Sequence, residues 1–232
     1  MIRLEIYIKS GFKMKFTIFL SLASLAALIF SGCVGSAPKI YPIDQSGEIL
    51  NARFLNSQQD VFNDLGGIAL SNFMQGFLDK KDGRDCSGFV SLVNKNINNI
   101  YFAETNLLKF YGEKGLKSQA IFNFYKTRNL ISQTSPKLGD LVFFSNTTSQ
   151  TKSKNKQIVT HLGIIDRIED DGTIRFMHNT RGKNKSGFIN LFQKNSHKIG
   201  GKVVNSYIVA CKGGNTDCLT SNRFAGFGKV KF

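Results

Sequence analysis

The amino-acid pattern of the chain changes near residue 140, and this change constrains the fold more than any other feature. Before it, apolar residues recur every three or four positions, which is typical of helices. After it, short runs rich in Val, Ile and Phe are separated by Gly, Asn, Lys and Ser, which is typical of strands. Helices followed by strands predict an α+β domain in which N-terminal helices pack on a mostly antiparallel sheet. The predicted helices are one or two within Glu48–Leu78, one beginning at Cys86 and one around Ser118–Lys126; the predicted strands are Leu141–Phe144, Val159–Asp166, Thr173–Asn179, Gly187–Phe192 and Val203–Ala210.

The N-terminal region has the layout of an export signal. Phe16–Phe30 carries no charge, follows Met14-Lys15 and precedes Ser31-Gly32-Cys33, and it is too short for a comfortable membrane span. The Ser-Gly-Cys ending resembles the lipobox of bacterial lipoproteins, which implies lipidation of Cys33. The alternative is an ordinary cleaved signal with an incidental cysteine. We therefore expect an over-long start plus signal peptide over residues 1–32, a lipidated Cys33 with a tether to residue 45, and a domain over 46–232.

The positive charge of the chain must be interpreted together with export. The whole chain has 31 basic and 16 acidic residues, a formal net charge of +15. Removing residues 1–32 takes away four basic residues and one acidic residue, which leaves 27 against 15, or +12. An exported protein meets anionic wall polymers and lipid headgroups rather than nucleic acid, so we expect no nucleic-acid partner. The alternative is that the charge serves solubility alone.

Cys86 is the candidate nucleophile. Asp85 precedes an amphipathic run that begins at Cys86, so the cysteine is expected at the N-terminus of a helix that Asp85 caps. Free backbone N–H groups there favour the thiolate and can stabilise an oxyanion. A cysteine nucleophile also needs a base, and the chain has three histidines. His161 and His178 lie in predicted strands, whereas His197 lies in a predicted solvent-exposed turn.

Four short blocks together resemble the NlpC family of bacterial cell-wall cysteine peptidases. They are Asp85-Cys-Ser-Gly-Phe-Val90, Gly139-Asp-Leu-Val-Phe-Phe144, Thr160-His-Leu-Gly-Ile164 and Phe176-Met-His178. The resemblance covers about residues 60–180. It implies a papain-like domain with Cys86 as nucleophile, His161 as general base and then acid, and His178 as the residue that orients His161. It also implies a peptidoglycan substrate. We expect no metal or organic cofactor, because the proposed chemistry needs none and no pair of Cys or His residues has zinc-type spacing.

Two further positions belong to the expected site, on its substrate and oxyanion side. Ser87 follows the nucleophile directly, and backbone N–H groups near Cys86 are expected to hold the oxyanion. Phe73 stands where the family carries a tyrosine. The loss of that hydroxyl departs from the family pattern and bears on which bond is cut.

The spacing of His161 and His178 tests this assignment geometrically. Direct opposition of the two residues on paired strands leaves a four-residue loop, Ile168–Asp171. A tight turn at Asp171-Gly172 instead pairs His178 with Ile165, which puts His161 roughly 13 Å away along its strand. We predict that a longer loop or a bulge brings the two imidazoles together.

The C-terminal region carries the remaining two cysteines. Cys211 and Cys218 are separated by six residues, and in an oxidising compartment we expect them to form a disulfide rather than two free thiols. That pairing leaves Cys86 reduced. The segment from Ser221 to Phe232 alternates Phe with basic residues, and we expect a terminal strand, with contact to lipid headgroups as the alternative.

The leading hypothesis is a lipid-anchored, monomeric cysteine endopeptidase that cleaves an amide bond of the peptidoglycan stem, between D-glutamate and diaminopimelate as the resemblance implies. Val34 rather than Asp follows Cys33, which by resemblance to lipoprotein sorting favours the outer membrane, facing the periplasm. One rival is a catalytically inactive wall-binding or scaffolding lipoprotein. Another is an amidase or acyltransferase that uses the same Cys-His pair on a different amide.

Overall fold

The computed structural model describes residues 47–112, 115–209, 211 and 214–231, with side chains from Gln58 onward. The predicted signal segment, Cys33 and the tether lie outside the described residues. From Gly47 to Phe232 the chain forms one compact unit. Within the described part, no helix is both long enough and apolar enough to cross a membrane.

The elements follow the predicted order of helices and then strands. The helices are α1 (Gly47–Gln75), α2 (Cys86–Asn96), α3 (Glu104–Leu107), α4 (Lys117–Lys126) and α5 (Thr220–Arg223), with short 3-10 helices at Leu108–Phe110 and Thr216–Cys218. The strands are β1 (Ile131–Ser132), β2 (Leu141–Ser145), β3 (Val159–Ile168), β4 (Ile174–Thr180), β5 (Lys183–Ile189), β6 (Lys198–Ile199), β7 (Lys202–Val203) and β8 (Phe224–Gly228).

The main sheet has six strands in the order β1-β8-β2-β3-β4-β5, and all of its pairings are antiparallel. β6 and β7 form a separate two-stranded sheet. The predicted α+β class with a mostly antiparallel sheet is therefore confirmed.

Both faces of the sheet are buried. Along β2, Leu141 and Phe143 join the core under α2 and α4, while Val142 and Phe144 join a second core on the opposite face. This alternation follows from the two-residue period of a strand. The helix-facing core supports α2, so the residue at the start of that helix is held against the sheet.

The C-terminal strand β8 lies inside the sheet, between β1 and β2. Just beyond it, the backbone N–H of Val230 and the ammonium group of Lys229 donate to the buried Asp140 carboxylate at 3.0 Å and 2.8 Å. The predicted terminal strand is confirmed.

Two strand predictions are wrong. β5 covers Lys183–Ile189 rather than Gly187–Phe192, because Asn190 accepts hydrogen bonds from the two N–H groups after Leu191 and turns the chain there. The strand predicted over Val203–Ala210 is not found at residues 204–209, because the Asn205 side chain donates to the carbonyls of Gln193 and Ser196 and holds a loop.

Candidate active site

Cys86 occupies the first position of α2, as predicted. Asp85 is the N-cap: its Oδ1 accepts hydrogen bonds from the Gly88 N–H and from the Ser87 hydroxyl, each at 2.8 Å. Gly88 cannot be replaced without movement, because a Cβ there would lie 1.8 Å from the Gly83 carbonyl oxygen. The start of α2 is thus packed tightly on the loop that precedes it.

The pairing of β3 with β4 ends near the part of β3 that approaches Cys86. Their pairing runs from Ile168↔Ile174 to Ile164↔Met177. Before Ile164, β3 stays paired with β2, whereas β4 from His178 onward is paired with β5. The Cys86 sulfur lies 4.0 Å from the Thr160 carbonyl oxygen. The nucleophile candidate therefore sits against the β3 backbone beside His161.

The two strand histidines are in direct contact. His161 Nε2 lies 2.6 Å from His178 Nδ1, and the rings meet edge to face with centroids 4.9 Å apart. The β3–β4 register, continued by one residue, places His178 opposite Gly163. His178 is therefore a diagonal neighbour of His161, and the direct opposition considered above does not occur.

A bulge and a longer loop produce this register, which confirms the prediction that one of them would. The pairing shifts by one residue at Asp166, and Glu169–Thr173 forms a five-residue loop after the last pair. The Asp166 carboxylate is buried and accepts from Arg175 Nη2 at 2.7 Å and from Gln75 Nε2 at 2.9 Å. Since Gln75 belongs to α1, the bulge is anchored to the helix layer.

Burial sets the resting protonation of the site. It raises the pKa of Cys86 to about 11, against the opposing effect of the backbone N–H groups of Leu162, Ser87 and Cys86 itself. It lowers the pKa of His161 to about 4, with the Asp85 charge acting in the opposite direction. The pKa of His178 is also lowered, first by burial and then by the neighbouring His161. Burial therefore favours the thiol and the neutral imidazoles near neutral pH, and it opposes the predicted preference for the thiolate.

The two positions assigned to the substrate side have different surroundings. The Ser87 hydroxyl is buried and bound to Asp85, so this residue faces Cys86 through its backbone N–H. Phe73 is 39% exposed near the end of α1, and its ring lies 5.2 Å from that of Phe77. Phe77 in turn contacts Phe89 of α2, so Phe73 is connected to the Cys86 helix through one intervening ring.

The remaining predicted residues lie away from this cluster. His197 is partly buried rather than solvated: its Nδ1 is 2.7 Å from the Asn205 carbonyl oxygen, and its ring contacts that of Tyr207 at a tilt of 43°. Cys211 and Cys218 are joined by a disulfide, with Cα atoms 6.3 Å apart, and Cys86 is a free thiol. In the described ranges, no three His, Cys, Asp or Glu residues are grouped so that they could hold a metal ion.

Sequence reasoning missed the contacts by which several polar residues support the site. The charge of Asp85 acts on both Cys86 and His161, and the expectation of a helix cap did not include that role. Asn179 and Asn184 are buried beside the site and bind the loop before Cys86. Asn184 lies in a polar, charged segment directly after the clearly predicted strand β4. The apolar pattern did not predict a strand there, and the position next to β4 was the only signal in the sequence.

Comparison with protein families identifies the chain. A model of the NlpC/P60 family matches residues 66–200, which is more than half of the sequence. The chain belongs to the NlpC/P60 family. Comparisons with curated proteins and with solved structures gave no significant match. NlpC/P60 proteins are generally cysteine peptidases and hydrolases of the cell wall, although some members are inactive. The matched segment includes Cys86 and both contacting histidines, while β8 lies beyond it.

Proposed function

We propose that this NlpC/P60 protein is a cysteine endopeptidase that cleaves an amide bond in the peptide stem of peptidoglycan. The observation that carries the proposal is the 2.6 Å contact between His161 and His178, beside a free cysteine at a helix N-terminus. In this assignment Cys86 is the nucleophile, His161 the general base and acid, and His178 the residue that orients His161.

The contact between the rings determines the proton route. His161 uses Nε2 to meet His178, which leaves its Nδ1 to accept the thiol proton. Nδ1 is free only in the tautomer that carries its proton on Nε2, and that proton is then donated to His178 Nδ1. When His161 becomes an imidazolium, the same hydrogen bond stabilises it. His178 therefore selects the tautomer that acts as a base.

The reaction then proceeds in two halves. The Cys86 sulfur bonds to the carbonyl carbon as its proton passes to His161, and the oxyanion is held by the backbone N–H groups of Cys86 and Ser87. The carbon–nitrogen bond breaks as His161 protonates the departing amine, which leaves a thioester. Water attacks the thioester, gives a proton to His161, and releases the acid as the thiol is restored. Every step uses groups of the chain and water.

The bond we propose joins D-glutamate to diaminopimelate, as the family resemblance implies.

One observation favours a second candidate, a catalytically inactive wall-binding or scaffolding lipoprotein. Phe73 stands where the family carries a tyrosine, and its ring contacts Phe77, which contacts the Cys86 helix, so the hydroxyl of the family tyrosine is missing at this position. An amidase or acyltransferase that uses the same Cys86–His161 pair is a third outcome.

We also propose that the protein is a monomer, anchored by a lipid on Cys33 to the outer membrane and facing the periplasm. The supporting features are the apolar segment before Cys33, its Ser-Gly-Cys ending and the basic mature chain. Metabolic labelling with an alkyne fatty acid should mark the wild type and not Cys33→Ser. Equal labelling of the two proteins would contradict the anchor.

The activity is tested by digesting purified peptidoglycan and identifying the released fragments by mass. Wild type should release stem-peptide fragments, and Cys86→Ala should release none. His197→Asn is the matched control, because it changes a histidine that belongs to a separate contact with Asn205. If Cys86→Ala releases the same fragments as the wild type, the peptidase proposal is wrong. Release of intact stems or of transferred acyl groups would favour the amidase or acyltransferase.

A further inference from the structure

The segment from Phe77 to Arg84, here called the Cys86 loop, has an unusual backbone. Three of its residues have positive φ: Asp79 at 63°, Gly83 at 87° and Arg84 at 67°. Two of them are not glycine, and residues that carry a side chain rarely adopt a positive φ unless their surroundings hold them there. Because the loop leads directly into α2, its conformation determines where Cys86 lies.

Asn184, near the start of β5, holds the first half of this loop. Its backbone N–H donates to the Lys80 carbonyl at 2.8 Å, and its own carbonyl accepts from the Asp79 N–H at 3.0 Å. Its side-chain Nδ2 donates to the Phe77 carbonyl at 3.1 Å. The residue has 0% exposure. Asn184 is therefore a buried strand residue that forms hydrogen bonds with the loop instead of packing an apolar side chain in the core.

Asn179 holds the second half of the loop. Its Nδ2 donates to the Asp82 carbonyl at 2.9 Å and to Asn184 Oδ1 at 2.8 Å. Asn179 follows His178 directly in β4 and is 2% exposed. The two carboxamides therefore form one bridge between the Cys86 loop and the strand that carries His178.

The bridge reaches Cys86 through close packing. Gly83, next to Asp82, packs so tightly on α2 that a Cβ on it would lie 2.6 Å from the Phe89 backbone. Its carbonyl oxygen leaves no room for a side chain at Gly88. A shift of the Asp82 carbonyl is therefore transmitted to the first turn of α2.

We propose that Asn179 and Asn184 are positioning residues that fix Cys86 relative to the His161–His178 pair. The inference rests on the proposed function for its catalytic meaning. An unfavourable feature of Asn179 supports the proposal, because the fold tolerates it. Asn179 Oδ1 is buried without a hydrogen-bond partner among the described residues. A buried acceptor without a partner is unfavourable. In Asn179 the orientation that leaves Oδ1 unpaired is the one in which Nδ2 donates to both the Asp82 carbonyl and Asn184 Oδ1.

The test compares Asn179→Ala with a matched control, Asn190→Ala. Asn190 is 1% exposed, lies just beyond the far end of β5, and its Nδ2 likewise donates two hydrogen bonds, each of 3.1 Å. Full-length variants are compared by kcat and KM on peptidoglycan fragments, by thermal unfolding, and by the pH dependence of Cys86 alkylation with iodoacetamide. Alkylation needs no hydrolysis, so it tests the position of Cys86 even if wild type cleaves nothing and the proposed function fails.

For Asn179→Ala we expect kcat to fall about 10- to 100-fold with KM changed less than about threefold, since small misplacement of reacting groups acts on turnover. Its alkylation midpoint should move down by about one pH unit or more, because a loosened loop admits water to the sulfur. Asn190→Ala should keep kcat within about twofold of wild type despite a loss of thermal stability at least as large, since Asn190 Oδ1 also accepts two hydrogen bonds.

If both variants change kcat and the alkylation midpoint equally, or if neither changes them, the positioning role is refuted. If Asn179→Ala does not fold, Asn179→Ser is compared with Asn190→Ser by the same measurements. The serine at position 179 retains one donor in place of two, so it should show a smaller change of the same kind. An alkylation midpoint equal to that of Asn190→Ser would refute the proposal.

Discussion

The ionisation of Cys86 provides the most direct test of the site. Burial raises the pKa of the thiol to about 11, from an ordinary value of 9.0. At pH 7 the thiolate fraction is then about one in ten thousand, against about one in a hundred for an ordinary thiol. Raising the pH from 7 to 10 should increase that fraction about a thousandfold.

Alkylation by iodoacetamide measures this fraction, because the thiolate is the form that reacts. The rate for Cys86 should rise tenfold per pH unit from pH 7 to about pH 10, and at pH 7 it should be at least a hundredfold below that of a free thiol of pKa 9.0. Cys86→Ala provides the background rate, to which Cys33 contributes only in protein that has not been lipidated. The disulfide between Cys211 and Cys218 removes those two from the reaction.

The opposite profile would refute the reasoning. If Cys86 reacts at pH 5 as fast as at pH 9, the resting site is a thiolate–imidazolium pair, and the helix N-terminus outweighs burial. Asp85→Asn sharpens the comparison, because asparagine still caps a helix but lacks the charge. The Asp85 charge raises the pKa of Cys86, so this variant should move the alkylation midpoint down.

Three other predictions follow from the same contacts. In Gly163→Ala the new Cβ would lie 3.3 Å from His178 Cβ and closer still to the β4 backbone, so it should separate the histidines and lower peptidoglycan hydrolysis more than about tenfold; unchanged hydrolysis would contradict the assignment of His178. Burial lowers the pKa of His161 from 6.5 to about 4, so the unfolded state binds the proton first. Urea unfolding should then show stability falling from pH 6.5 towards pH 4, by up to about 1.4 kcal/mol per pH unit for this group, and a flat profile would count against its burial as a neutral base. Arg175→Met leaves the buried Asp166 carboxylate without its ion-pair partner and should destabilise the fold by about 3 kcal/mol in the same assay; a loss below about 1 kcal/mol would show that Asp166 does not depend on this ion pair.

The fold could be predicted where apolar periodicity was undisturbed. The capped start of α2 at Cys86, the helix ending at Lys126 and the strands around Phe143 and Ile164 all lie where the pattern indicated. These elements form the two cores, so their side chains had to follow the period of the element. The same rule failed for β5, whose first half reads Lys-Asn-Lys-Ser and whose buried Asn184 contacts a loop instead of the core.

The sequence indicated which residues form the candidate site but not how they are arranged in space. Sequence spacing indicated that His161 and His178 need a bulge or a longer loop to meet. It gave no means to place the bulge at Asp166, because that position depends on Arg175 and on Gln75 of a distant helix. Local propensity carries no information about such contacts, and polar groups buried around functional sites are where pattern rules are expected to fail.

The resting protonation of the site explains why the contact between the histidines matters chemically. In a thiolate–imidazolium pair the proton already lies on the histidine, so the partner ring only has to orient it. In the proposed reaction between a neutral thiol and a neutral imidazole, the forms that burial favours, His161 must first present an unprotonated Nδ1 to the thiol, and the partner of Nε2 decides whether it does. His178 offers an acceptor at Nδ1 only when its own proton lies on Nε2. Under the proposed function, the burial that favours the Cys86 thiol therefore makes the action of His161 as a base depend on the tautomer of His178. The strand that carries His178 continues into the Asn179–Asn184 bridge that holds the Cys86 loop.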